Sequence, residues 1–177
     1  MNSSSKHENI FNKWLSKFQK AIDSPELNNL SMLLETDSDW RDLLAFTGTV
    51  TTVSNSDFIS QRLIQSVSSI KAFNFEIDTR FTPPIEVLRA GEQYIEGFFK
   101  FETTEAFCNG VLRFKISSVQ NNEIRASTLF TCIDQLKMHP ETINKLRPHG
   151  NSYSRDFTGP NWLDNRLKDA AYLDRDP

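Results

Sequence analysis

The chain has 177 residues, 38% hydrophobic and 24% charged, with fourteen Phe and three Trp, which is enough apolar material for one core and too little chain for a second full-sized domain. Twenty Lys and Arg stand against 23 Asp and Glu, a formal charge of -3 with no basic run, so a nucleic-acid partner is not expected. No stretch approaches the ~20 apolar residues of a membrane helix, and no apolar run of about 7–15 residues near the start reads as a signal peptide; the expectation is a cytoplasmic protein with no membrane role.

Ile10, Phe11, Trp14, Leu15, Phe18, Ala21 and Ile22 form one stripe at helical period behind Ser5 and Glu8 in capping-box spacing, which predicts a first helix. Ser24 as cap and Pro25 at the first helical position predict a short second helix with Leu27, Leu30, Leu33 and Leu34 inward, ending near Glu35 to Asp37. A strand is expected to open at Trp40-Arg41-Asp42. Ile59, Leu63, Val67 and Ile70 predict a third helix from about Ser56 to Ile70. The period then changes to two: Phe73, Phe75, Ile77 and Phe81 alternate with polar residues up to Pro83-Pro84, and further strands read at Gln93 to Thr103, Gly110 to Ser118 and Ile124 to Leu136, with antiparallel neighbours. Helices first and strands afterwards predict an α+β fold, with helices packed on one face of a sheet. Beyond Leu136, Pro140, Pro148, Gly150, Gly159 and Pro160 predict loops with a helical turn around Glu141 to Leu146, and Asn161 caps a last helix from Trp162 to about Leu173. The domain boundary falls between residues 1–137 and 138–177.

Several chemistries are missing from the pattern. The six glycines, at 48, 91, 97, 110, 150 and 159, spell neither G-x-G-x-x-G nor a phosphate-cradling loop. Cys108 and Cys132 are too far apart for C-x-x-C, and His7, His139 and His149 reach no zinc-ligand spacing, so no metal site is expected and both cysteines read as buried small hydrophobes. No G-x-S-x-G elbow is present.

Five blocks, Asp39–Thr47, Ala126–Thr131, Leu136-Lys137 with His139 and Glu141, Arg147-Pro148-His149-Gly150, and Asn161-Trp162-Leu163 with Arg166, resemble in order and spacing the N-terminal region of flavin-containing monooxygenase-like proteins. Gly48-Thr49 and Ser54-Asn55-Ser56 depart from that pattern. The resemblance implies a cone-like SnoaL-like domain of the nuclear-transport-factor-two fold, N-terminal helices on a curved, mainly antiparallel sheet, plus a C-terminal linker helix. It further implies that FAD and NADP belong to a downstream domain, that a flavin-binding domain is the partner in cis or trans, and that this chain itself binds no cofactor.

Within such a cone, Trp40, Arg41 and Asp42 form the most pointed cluster, since alternation sends Trp40 and Asp42 to one side and Arg41 to the other. Asp42 with His139 would make an acid/base pair and Tyr94 a hydrogen-bond donor; the plainer readings are an ion-pair network for Arg41 and Asp42, a surface role for His139, and a core or interface place for Tyr94. Phe98, Phe99, Phe101, Phe114 and Phe130 either line an apolar pocket or fill the space between sheet and helices. Arg147-Pro148-His149-Gly150 and Asn161-Trp162 read as a docking arm. Three functions fit: a non-catalytic accessory or interaction domain of a flavin-dependent oxidoreductase, a stand-alone small-molecule isomerase or dehydratase using Asp42, His139 and Tyr94, or a dimeric domain binding a small apolar ligand.

Overall fold

An apolar helical stripe must find a cover, and helix α1 (Ser3–Asp23) buries the whole predicted one, from Ile10 to Ile22. The structure is a computed structural model that describes residues 3–121, 124–141, 143, 158–171 and 173. Helix α1 already runs at Ser3, so Ser5 lies inside it and is not its cap. Helix α2 (Leu27–Ser31) is shorter than its leucines suggest: its N-cap is Glu26, not Ser24, and Leu34 begins strand β1 (Leu34–Leu43) instead of ending the helix. The inward positions of that strand include Ser38 and Asp42 alongside Trp40, so its period of two is written partly in polar residues and does not show as an apolar alternation.

Strand β2 (Val50–Ser54), absent from the sequence reading, follows and leads into helix α3 (Ser56–Val67), where the Asn55 side chain accepts from the Asp57 N–H as cap and Ile59 and Leu63 face the core. Strand β3 (Ala72–Ile77) is shorter than predicted, because Asp78 turns back to accept from the Arg80 N–H and guanidinium. Strand β4 (Ile85–Arg89), also unread, comes after Pro83-Pro84 and pairs with β5 (Glu92–Thr103). Strand β6 (Ala106–Lys115) ends in a short helix α4 (Ile116–Gln120) where strand had been predicted to Ser118, and β7 (Ala126–Leu136) completes the sheet.

The strand order is β2-β1-β7-β6-β5-β3, with β4 on β5. Every pairing is antiparallel except β1 with β7, which is parallel. Along β5, Ile95, Gly97, Phe99, Phe101 and Thr103 are buried toward the helices, and Tyr94, Glu96, Phe98, Lys100 and Glu102 face the other way. The result is the expected α+β arrangement, helices packed on one face of a curved, open and mainly antiparallel sheet.

Between the two layers the aromatic rings interlock. Trp14 stacks on Phe18 with centroids 4.8 Å apart and donates its Nε1–H to the Leu33 carbonyl at 2.8 Å; Phe11 meets Phe114 edge-on at 5.1 Å, and Phe101 is sandwiched by Phe46 at 5.3 Å and Phe75 at 4.8 Å. Two glycines make room for this. A Cβ on Gly97 would stand 2.7 Å from Phe11 Cε1, and one on Gly110 would overlap the Phe99 ring and the Phe130 carbonyl oxygen.

Residues up to Pro140 form one unit and Glu141–Pro177 another. In the second, helix α5 (Trp162–Ala170) opens on a capping box: the Asn161 side chain accepts from the Leu163 and Asp164 N–H groups while Asp164 accepts from the Asn161 N–H. It stops before the predicted Leu173. The helical turn expected at 141–146 falls largely outside the described residues, as does 174–177.

Gly97→Ala should destabilise the fold by about 1–3 kcal/mol through overpacking against Phe11, and Phe11→Leu in the same chain should recover part of that loss in urea unfolding. Additive single effects would show that the two positions do not compete for space.

Candidate functional site

A carboxylate taken out of water needs donors in place of its hydration. Asp42 is fully buried on β1 and has them: Thr131 Oγ1 donates to Oδ1 at 2.6 Å, Thr47 donates to Oδ2 from Oγ1 at 2.7 Å and from its N–H at 2.8 Å, and the Phe46 N–H reaches both oxygens at 3.1–3.2 Å. The in-register parallel pairing of Asp42 with Thr131 sets this contact. Thr131 Oγ1 in turn accepts from Trp40 Nε1 at 2.9 Å. Trp40 and Asp42 therefore point inward, and Arg41 is exposed on the opposite face. The network around Asp42 is one of hydroxyls, amides and an indole; Arg41 is not in it.

The turn held by Asp42 forms one wall of a cavity of about 300 Å³ at the strand ends, lined by Leu44, Ala45, Ile70, Thr103, Ala106 and Ile133 among others. Deeper in, the layer between helices and sheet is occupied by the Phe46, Phe101 and Phe75 stack. The phenylalanines singled out in the sequence divide between the faces: Phe99, Phe101 and Phe114 are buried core, whereas Phe98 and Phe130 stand on the face away from the helices, Phe98 under Phe81 at 4.6 Å.

The candidate acid/base set does not converge. Tyr94 lies on that outer face, and its hydroxyl donates to Glu92 at 2.8 Å; this bond, with burial, holds the phenol above its usual pKa. His139 is exposed in the bend after β7, whose end at Leu136 is already about 17 Å along the strand from Thr131. Arg147 lies outside the described residues. Trp162 is 71% exposed at the start of α5, with the Arg166 guanidinium 5.1 Å from its ring centre.

Features that the sequence did not reveal lie mostly on the outer face. Glu96 accepts from Arg89 at 2.8 Å and from Arg113 at 2.6 Å; burial would raise its pKa, but these bonds outweigh it and hold the carboxyl below its usual range. Arg80 bridges Asp78 and Asp134, both at 2.8 Å, beside a cavity of about 310 Å³ whose other charges, Lys100 with Glu76 and Glu102 with Lys137, are likewise paired. His7, buried on α1, sits 3.2 Å from Glu86 on β4. Cross-strand register sets Glu96 opposite Arg113 and Glu76 opposite Lys100, partners that strand pairing alone could announce. Among the described residues no cluster of three or more His, Cys, Asp or Glu offers a metal site, and no helix is long and apolar enough to cross a membrane.

No family model and no curated protein matches the chain. Solved structures of similar shape include a protein of unknown function with a cystatin-like fold from Methylobium petroleophilum PM1, at 10% identity over 84% of this chain and 83% of its own, TM-score 0.47. A ketosteroid isomerase-like protein from Erwinia carotovora atroseptica aligns at 7% identity over 76% of this chain and 99% of its own, TM-score 0.49. A steroid delta-isomerase from Pseudomonas aeruginosa aligns at 14% identity over 71% and 80%, TM-score 0.38. These are likenesses of shape and carry no activity across; nothing among them links the chain to flavin-containing monooxygenases.

Asp42→Asn should cost about 2–4 kcal/mol in urea unfolding, because an amide N–H₂ then faces N–H and O–H donors, and Thr131→Val about 1–3 kcal/mol because the Trp40 indole loses its acceptor; losses below ~0.5 kcal/mol would show the network to be dispensable. Cys108 is a second check on the interior. Burial, with the Asp42 charge adding to it, pushes its thiol up to about 12, so iodoacetamide at about pH 8 should label Cys108 only after denaturation, as read by mass spectrometry.

Proposed function

We propose that this chain is a non-catalytic interaction module, a cone-type α+β domain that acts through its surfaces and turns over no substrate. The observation that carries the reading is the state of the interior: the buried carboxylate is already saturated by protein donors, and the space behind it is filled by the chain's own rings. A general base must be free to accept a proton from substrate, and Asp42 would first have to give up bonds that hold the 42–47 turn.

The flavin-dependent oxidoreductase setting has the five sequence blocks as its whole support, and the module reading stands without it. The second reading, a stand-alone isomerase or dehydratase or a domain binding a small apolar ligand, draws on the cavity beside Leu44, Ala45 and Ile133. At about 300 Å³ that cavity is at the lower end of the roughly 300–1,000 Å³ usual for ligand sites. It suits a ligand-binding role better than proton transfer, since its lining offers only Lys71 and Glu105 as titratable groups.

The two readings separate in one experiment. Isomerisation of a β,γ-unsaturated cyclic ketone, followed by the absorbance of the conjugated product, should proceed at the uncatalysed rate with the purified chain. Turnover above that rate, lost in Tyr94→Phe or His139→Ala with the circular dichroism spectrum unchanged, would establish the enzyme instead. Thermal stabilisation by apolar ligands without turnover would favour the binding domain.

A further inference from the structure

Strand β2 ends the sheet, and the phase of its ladder can be fixed. The Leu44 N–H donates to the Thr49 carbonyl and the Asn55 N–H to the Ser38 carbonyl, so the hydrogen-bonded pairs with β1 are Ser38/Asn55, Trp40/Val53, Asp42/Thr51 and Leu44/Thr49. The backbone N–H and C=O groups of Val50, Thr52 and Ser54 therefore point away from β1, toward the open edge, where no described backbone group bonds them. No residue from Leu43 to Ser56 carries a charge. Exposed apolar side chains stand at both ends of the edge: Leu44 at 47%, Val50 at 64% and Phe58 at 62%.

The other margins are defended differently. On β3, Asn74 has a φ of 58° where the register with β5 slips, and Glu76 adds a charge. β4 carries Glu86 and Arg89. Charge, irregularity and short length are the ordinary means by which a sheet margin resists pairing; β2 has only its shortness.

We propose that β2 is the interface with a second copy of this chain, the two strands pairing antiparallel about a twofold axis at Thr52. The outward groups come at alternate residues, as such a ladder requires: Val50 meets Ser54 of the second copy, Thr52 meets its own counterpart, and Ser54 meets Val50. A second copy suits this uncharged edge because the twofold axis sets Thr52 against its own counterpart, where a charge would have met a like charge. Thr opposite Thr is a favourable cross-strand pair. The same symmetry brings the end of the strand that leads to Phe58 beside the end of the second copy that begins at Val50. A ladder this short buries less than the ~1,600 Å² of a standard interface, so the dimer is a weak one. The inference is independent of whether the interior does chemistry.

Sedimentation equilibrium from about 10 µM to about 1 mM spans the dissociation constants of such weak pairs, and the weight-average mass should climb from 20.4 kDa toward twice that value. Thr52→Pro removes an N–H that β1 does not use, and Thr52→Lys sets two ammonium groups together on the axis; each should raise the dissociation constant at least about tenfold with the circular dichroism spectrum unchanged. Should the proline variant misfold, the lysine variant decides alone. A chain monomeric throughout would overturn the proposal and leave a strand of another protein as the occupant of the edge. A dimer indifferent to both variants but dissociated by Val111→Glu, on the outer face of the sheet, would overturn it in favour of that face.

Discussion

A carboxylate removed from water has to be met by donors wherever it is placed, and Asp42 is buried on the covered face of the sheet near the end of β1. Satisfying it fixes several things together. The Phe46 and Thr47 amides must curl back over the end of β1, which sends the Phe46 ring into the core onto Phe101. Thr131 must stand opposite, which holds β1 and β7 in their parallel register and gives the Trp40 indole its acceptor. The turn then delivers the chain to β2 at the margin of the sheet. A group that looked like chemistry is, in this setting, the fastening of the one parallel pair of strands among the described residues.

The two faces of the sheet divide the labour. Toward the helices the alternate residues are mostly aromatic or aliphatic, with Gly97 and Gly110 leaving the space that the Phe11 and Phe99 rings occupy. Away from the helices the same strands carry Glu96, Lys100, Glu102, Arg113 and Lys115, tied across strands or to neighbouring loops by ion pairs. Exposed pairs of this kind contribute little stability each.

The buried stripe of helix α1 was legible residue by residue, though the helix start was not, because seven apolar side chains at helical period must share one covered face. The β5 and β7 strands were legible within a residue or two for the same reason at period two. β1 was legible only at Trp40-Arg41-Asp42 and not from its true start at Leu34, since Ser38 and Asp42 occupy inward positions, and β2 and β4, at five residues each, were too short to announce themselves. The candidate residues fared likewise. Alternation placed Trp40 and Asp42 on one side and Arg41 on the other, but Thr47 and Thr131, which determine what Asp42 does, lie 5 and 89 residues away, and nothing in their spacing says that they bond it.

The sequence by itself determined the class of the fold, the face that α1 buries, and the absence of a glycine-rich nucleotide loop from the chain, because periodicity and local spacing are properties of neighbours along the chain. Tertiary structure alone decided that Asp42 is saturated, that Tyr94 and Asp42 stand on opposite faces, and that β2 ends the sheet with its backbone open. Each of those depends on which strands pair and in what register, and hydrogen bonds between residues far apart in the chain are chosen by the packing of the whole domain.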